Sequence, residues 1–158
     1  GLYWYMKTKG YRVELINEYA KDRVWLNDLT TLQNQTYVSA KQYQRMLMVL
    51  DQTEWAITDS PLLLGLLYGQ YPVTFEPYLL DLHNSFNNIN IVLTRSVPFE
   101  PQGRIQNEEQ SKQKDKEITQ MLDRFSIPYV VFENKDWSYA TINNLYDLVL
   151  GCRTNNSG

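Results

Sequence analysis

The segment at residues 54–64 reads Glu-Trp-Ala-Ile-Thr-Asp-Ser-Pro-Leu-Leu-Leu, a short apolar run that ends in an acid and is followed by residues typical of a helix start. This run predicts a buried parallel strand that delivers Asp59 to its carboxyl end. Ligands of open α/β sheets bind at that edge, so Asp59 is the first candidate for a functional residue. The structural alternative is that Asp59 only caps the next helix, with Ser60 and Pro61 as ordinary start signals.

The composition is that of one ordinary globular domain. The chain has 158 residues, of which 43% are hydrophobic and 21% are charged, and this length is enough for a single sizeable core. We expect one domain over residues 1–151 and a flexible polar tail over residues 152–158. The net charge of −3 and the pI near 5.2 argue against nucleic acid as a partner, because binding to a phosphate backbone needs a basic surface.

The single Cys152 and the single His83 restrict the chemistry. One Cys excludes an intrachain disulfide and a Cys-rich zinc site, and a His-based triad would have to use His83. His83 has no acidic or Cys neighbour at ligand spacing, so we expect it to be structural, either facing solvent or hydrogen-bonded. No apolar run reaches the roughly 18 to 20 residues of a membrane span and no secretory signal is present, so we expect no membrane partner and a reducing cytoplasm.

Helical and extended patterns alternate along the chain. Strands are predicted at residues 11–17, around Ile57, and at residues 89–93 and 128–133. Helices are predicted at residues 1–9 with Gly10 as cap, from Ser39 through a capping box with Gln42, at 61–68, at 76–86, at 107–125, and from Ser138 to Gly151. The helix from Ser39 is expected to bury Tyr43, Met46, Leu47 and Leu50. The alternation predicts an α/β fold, with a parallel sheet of about four strands and helices on both faces.

Charged residues follow the predicted strands. Glu18, Asp59 and Arg95 each lie just past a strand end, and Arg104 lies in a loop with Pro and Gly that leads into a charged helix. Two acids and two arginines at one sheet edge suit phosphoryl transfer. One carboxylate would hold magnesium, the other would orient or deprotonate an attacking hydroxyl, and the arginines would stabilise the developing charge. The alternative is a set of purely structural salt bridges at a sheet edge.

Four motifs carry a resemblance to a known family. They are Glu18-Tyr19-Ala20-Lys21, Thr58-Asp59-Ser60-Pro61, Pro98-Phe99-Glu100-Pro101-Gln102-Gly103-Arg104 and Ile127-Pro128-Tyr129-Val130-Val131. Together they resemble the P-loop nucleoside and nucleotide kinases, in particular the AAA-type group that is similar to the nicotinamide ribonucleotide kinase domain of NAD-metabolism regulators and to related bacteriophage kinases. The resemblance implies ATP and magnesium as cofactors, with Glu18 near the acceptor, Asp59 near magnesium or substrate, and Arg104 as the lid arginine. Gln102 departs from the family, which usually has an acid there.

The expected acceptor is a small nucleoside or nucleotide. We expect Tyr19, Arg23 and Arg95 to contact it, and Trp25, Tyr37 and Tyr68 are further aromatic side chains that suit the wall of its pocket. The family covers ribonucleosides, deoxynucleotides and nicotinamide mononucleotide, and the sequence does not choose among them. Besides this small molecule, the sequence leaves open a second copy of the chain as a partner, in a homo-oligomer.

One required motif does not occur in these 158 residues. Kinases of this type bind phosphates with a loop of the pattern Gly-x-x-x-x-Gly-Lys-Ser/Thr. The resemblance puts this loop immediately before Gly1, and puts the missing first strand centrally in the sheet, between those at Ile57 and Ile91. Two interpretations stay open. Either the domain is N-terminally incomplete here and the natural protein is a complete kinase, or the shorter chain is a catalytically inactive binding or interaction protein.

Overall fold

The computed structural model describes residues 1–17, 29–68, 71–95, 108–134, 136 and 138–156. The chain divides into two compact units, one of residues 6–88 and one of residues 1–5 with 89–158. In chain order the elements are α1 (Leu2–Thr8), β1 (Val13–Ile16), α2 (Leu29–Gln33), α3 (Gln35–Leu50), β2 (Trp55–Thr58), a 3-10 helix (Leu62–Leu67), α4 (Phe75–Asn84), β3 (Ile91–Arg95), α5 (Glu108–Arg124), β4 (Val130–Asn134) and α6 (Tyr139–Asn156).

The four predicted strands are present, but they form two parallel pairs. β1 pairs with β2, from Val13 opposite Trp55 to Ile16 opposite Thr58. β3 pairs with β4, from Ile91 opposite Val130 onward. Helices and parallel strands are thus confirmed, whereas a single sheet of about four strands is wrong for the part of the chain that is described. Each pair joins strands that are consecutive in the chain and have helix between them, as the crossover connection of parallel strands requires.

The core of the unit of residues 6–88 contains apolar side chains from α1, β1, the 3-10 helix and α4. Met6, Val13, Leu63 and Leu79 are its largest fully buried side chains. Gly10 ends the first helical segment with a φ of 86°, in the left-handed region where an L side chain is strained. The predicted cap at Gly10 is therefore confirmed.

Helix α3 begins earlier than predicted and buries a different face. Its N-cap is Asn34, whose side chain accepts a hydrogen bond from the Tyr37 amide, so the predicted capping box at Ser39 is wrong. Ser39 and Gln42 instead lie inside the helix and are buried, and so are Gln35, Val38 and Met46. The predicted apolar stripe is confirmed only at Met46, and Leu47 is 46% exposed.

A close approach at Gly65 explains why α3 turns a polar face inward. Gly65 lies in the 3-10 helix, and a Cβ added there would be 2.6 Å from Ser39 Oγ, 3.3 Å from Leu79 Cδ2 and 3.7 Å from Gln35 Oε1. Small and polar groups of α3 therefore pack directly on a backbone that carries no side chain. The segment after Pro61 was predicted as a helix, and its 3-10 form is tighter than an α-helix.

His83 lies in the last turn of α4 and is buried, which excludes the solvent-facing one of the two structural roles expected for it. It follows Phe75 and Leu79 at spacings of four residues, which places all three on one face of the helix. Burial removes water from the imidazole and lowers the pKa of His83 below its ordinary value.

The unit of residues 1–5 and 89–158 contains β3, β4, α5 and α6. The Tyr5 hydroxyl donates a hydrogen bond to Asn143 Oδ1, and the Tyr5 ring lies 5.2 Å from the rings of Tyr139 and Tyr146. A hydrogen bond with Tyr139, together with burial, raises the pKa of Tyr5 to about 12. These contacts fasten the first residues of the chain to α6.

The last helix begins as predicted and ends later. Ser138 Oγ accepts a hydrogen bond from the Thr141 amide at 3.3 Å, as expected of a capping residue. α6 then continues through Gly151 to Asn156, so the predicted end at Gly151 is wrong. An isolated Gly inside a helix costs only about 1 kcal/mol, which the rest of the helix can offset. Among the described helices, none combines the length and the apolarity that crossing a membrane requires.

Candidate functional site

The carboxyl end of the β1–β2 pair is the strongest candidate site. The last registered residues of the two strands are Ile16 and Thr58, so Asn17 and Asp59 follow side by side at the strand ends. Asp59 is exposed. Among the residues that the structure describes, none forms an ion pair or a hydrogen bond with its carboxylate. The acid is thus available to a ligand on this side of the sheet.

Asp59 does not cap the helical segment that follows it. The N-cap of the 3-10 helix is Pro61, and no side chain makes a capping hydrogen bond there. The structural alternative for Asp59, that of a helix cap, is therefore wrong. This finding removes the most ordinary reason for an acid at this position.

The Thr58 hydroxyl shapes the turn that presents Asp59. Thr58 Oγ1 accepts a hydrogen bond from the Ser60 amide at 3.0 Å, which closes a short turn around the acid. Gln42 Nε2, from the buried face of α3, approaches the same oxygen at 3.5 Å. The position of Asp59 therefore depends on a side chain of β2 and on one of α3.

A cation lies at the same strand ends. Arg45 Nη1 donates a hydrogen bond of 3.1 Å to the carbonyl oxygen of Asn17, the first residue after β1. Arg45 follows Gln42 by three residues in α3, so the two side chains lie on neighbouring positions of one helix face. α3 thus brings an amide and a guanidinium to the edge that carries Asp59.

Most other predicted site residues lie outside the described part of the chain. Glu18, Tyr19, Arg23 and Arg104 fall in the ranges 18–28 and 96–107, and so does Trp25. Arg95 is the last residue of β3, where it is registered opposite Asn134. Because β3 pairs with β4, the strand that ends at Arg95 belongs to a different sheet from the strand that precedes Asp59. Within the described residues, the expectation that one continuous sheet edge carries both residues is wrong. Of the two suggested wall residues that are described, Tyr37 lies on α3 with Lys41 Nζ 5.6 Å from its ring centroid, and Tyr68 directly follows the 3-10 helix.

The carboxyl end of the β3–β4 pair is already occupied by capping interactions. Asp136 accepts hydrogen bonds from the Ser138 amide at 3.0 Å and from Thr141 Oγ1 at 2.6 Å. Hydrogen bonds from Ser138 and Thr141 lower the pKa of Asp136 to about 2, so this carboxylate is charged and engaged at the start of α6. Asn134 is buried beside it, and its Oδ1 has no hydrogen-bond partner. The Asp136 carboxylate is therefore committed to the start of α6, unlike that of Asp59.

The described residues contain no preassembled metal cluster. No group of three or more His, Cys, Asp or Glu side chains comes together among them. Magnesium does not need such a group, because it commonly binds one or two carboxylates, several waters and the phosphates of a substrate. Asp59 fits that requirement, because its carboxylate is exposed and accepts no hydrogen bond from the described residues.

Sequence reasoning missed Gln42 and Arg45 as site residues. The usable signal is the spacing of Gln35, Ser39 and Gln42, which places three polar side chains on one face of a helix. In the structure these three polar side chains are buried, whereas Leu47 and Met48 of the same helix are exposed. A polar face that is buried in this way contacts other polar groups.

No protein-family model matches the chain, and comparisons with curated proteins and with solved structures give no match either.

Proposed function

We propose that this protein transfers a phosphoryl group from ATP to a small nucleoside or nucleotide, with Asp59 at the centre of the site. The observation that carries the proposal is the exposed Asp59 carboxylate, which follows a parallel strand and caps no helix. Ligands of parallel sheets bind at this edge, and an uncommitted acid there suits a reaction that uses a metal ion and phosphates.

Asp59 would hold magnesium together with substrate phosphates. Magnesium, when bound, would neutralise part of the charge on the transferring phosphoryl group. Glu18 would then orient or deprotonate the acceptor hydroxyl, Arg104 would contact ATP phosphates from the lid, and Tyr19, Arg23 and Arg95 would contact the acceptor. These five assignments rest on the sequence alone. The single Cys152 fits a reducing cytoplasm as the compartment.

The binding alternative has two observations in its favour. The described strands form two separate pairs. The 158 residues also lack the Gly-rich loop with which kinases of this type bind ATP phosphates. An inactive kinase-like protein that binds a partner would have the same features. The two functions differ in whether nucleotide binds.

Nucleotide-dependent stability separates these functions. The protein would be expressed from its full natural reading frame and unfolded in urea with and without MgATP. A kinase is expected to gain about 2.7 kcal/mol of unfolding free energy when the nucleotide is at a hundredfold excess over its Kd. MgADP serves as a second nucleotide and magnesium alone as the control. Coincident unfolding curves under all these conditions would favour the binding protein.

A further inference from the structure

Helix α3 is inverted relative to an ordinary surface helix. Its buried side carries the polar residues Gln35, Ser39 and Gln42. On the opposite side, about half a turn around the helix axis, Leu47 is 46% exposed and Met48 is 69% exposed. Single exposed apolar residues are common on proteins, whereas a contiguous apolar surface marks a site of interaction.

The exposed side of α3 forms one continuous stripe. Its members follow one another at spacings of three and four residues, which is the spacing of the seam between two packed helices. We call these exposed residues the outer stripe: Tyr37, Ala40, Gln44, Leu47 and Met48. The outer stripe extends over about three helical turns. A second helix lying along it would therefore cover apolar side chains over its whole length.

The outer stripe is complementary to a second copy of itself. Gln44 is its middle residue, and a side-chain amide has both donors and an acceptor, so two Gln44 side chains can exchange hydrogen bonds across a two-fold axis. Lys41 precedes Gln44 and the exposed Asp51 follows it. In an antiparallel pair centred on Gln44, the ammonium of one copy lies within about one helical turn of the Asp51 carboxylate of the other. A parallel pair would instead bring like charges together.

We propose that the outer stripe is the contact surface of a symmetric homodimer, in which the α3 helices of two copies pack antiparallel about Gln44. A second copy fits better than an unrelated protein, because the apolar, amide and charged groups of this surface each find their complement in the same surface. The inference does not depend on the proposed function, since it uses the side of α3 opposite Gln42. One pair of helices is a small interface, so we expect a weak dimer that forms at micromolar concentrations.

Sedimentation velocity measures this association. The protein from its full natural reading frame would be run at concentrations from about 1 to about 200 µM, which brackets the affinity expected of a small interface. Leu47→Lys is expected to weaken the dimer by about tenfold or more, because it removes apolar surface and places an ammonium opposite Lys41 of the second copy. Val73→Lys is the matched control, since it makes the same kind of change at an apolar side chain that is 89% exposed outside α3. It should associate like the wild type.

Cysteine cross-linking measures the orientation of the two helices. In a protein whose native cysteines, including Cys152, are replaced by serine, Gln44→Cys is expected to form a disulfide between copies under mild oxidation. Thr36→Cys is the control, because it is also exposed on α3 and lies eight residues from Gln44. In the antiparallel dimer its two copies would be about 24 Å apart along the helices, too far for a disulfide. A parallel dimer would cross-link at both positions.

Three results would overturn the inference. They are a monomer over the whole concentration range, a dimer that is as stable in folded Leu47→Lys as in the wild type, and equal cross-linking of Gln44→Cys and Thr36→Cys. The cross-linking variants replace exposed side chains, so they test the contact even where Leu47→Lys does not fold. Cross-linking of Gln44→Cys but not of Thr36→Cys, together with a dimer that Val73→Lys retains, would uphold it.

Discussion

A single buried histidine makes stability depend on pH in the mildly acidic range. Burial lowers the pKa of His83, whereas in the unfolded chain its pKa is near the ordinary value of about 6.5. The unfolded state therefore binds a proton that the folded state resists, and the unfolding free energy should fall as the pH is lowered through and below about 6.5. Urea unfolding at several pH values between 5 and 8 measures this slope.

The pH prediction can be assigned to one residue because His83 is the only histidine in the chain. Its imidazole proton signal is therefore the only one of its kind in an NMR titration. We expect His83→Gln to flatten the slope between pH 7 and pH 5.5. A titration that gives His83 a pKa at or above about 6.5 would contradict the proposed cause.

At the residue scale, sequence reasoning selected Asp59 as a candidate and missed the residues that position it. The apolar run before Asp59 and the strand that it predicts are visible in eleven residues. The contacts of Gln42 and Arg45 depend on how α3 is rotated against β2, and the rotation follows from the close approach at Gly65. A tertiary contact of this kind leaves little trace in local sequence, because Gln and Arg are ordinary residues on a helix surface.

At the element scale, the packing of α3 on the 3-10 helix depends on Gly65. Gly65→Ala would place a Cβ 2.6 Å from Ser39 Oγ, which is closer than van der Waals contact allows. Overpacking of this kind is expected to lower the unfolding free energy by about 1–3 kcal/mol. Thermal or urea unfolding measures the change.

Two variants establish that the effect of Gly65→Ala comes from the contact. Ser39→Ala removes the hydroxyl, so we expect the double variant to be less destabilised than the sum of the two single variants. Gly151→Ala adds a Cβ with no atom within 4 Å, inside α6, and should raise stability by up to about 1 kcal/mol. Additivity between Gly65→Ala and Ser39→Ala would argue against direct contact between α3 and the 3-10 helix.

Helix boundaries show why element prediction succeeded in some places and failed in others. The start of α6 was predictable because the Ser138 cap is a local interaction with Thr141. The start of α3 was not, because Asn34 and Ser39 are both acceptable caps by sequence, and it is Asn34 that accepts the hydrogen bond of the first turn while Ser39 lies inside the helix. Sequence misplaces the end of α6 because Gly151 is typical of a helix stop, whereas the helix continues past it.

At the scale of the whole molecule, the class of fold was predictable and the sheet was not. Alternating strand and helix patterns are local, and they correctly gave parallel pairs with helical crossovers. Whether β2 pairs with β3, or either strand pairs with another segment, depends on contacts between residues that are distant in the sequence. The local hydrophobic pattern carries no information about such contacts. Which strands pair with which was therefore the feature of the fold that the sequence predicted least well.

The central claim is that the exposed Asp59 carboxylate serves phosphoryl transfer, and a transfer assay tests it most directly. The protein from the full natural reading frame would be assayed with labelled MgATP and a panel of nucleosides and nucleoside monophosphates. We predict that Asp59→Asn, which removes the proposed magnesium ligand, lowers the rate by roughly 10²-fold or more while the unfolding transition is unchanged. Asp51→Asn, at the exposed end of α3, should keep the wild-type rate. A folded Asp59→Asn variant that transfers phosphate as fast as the wild type would contradict the claim.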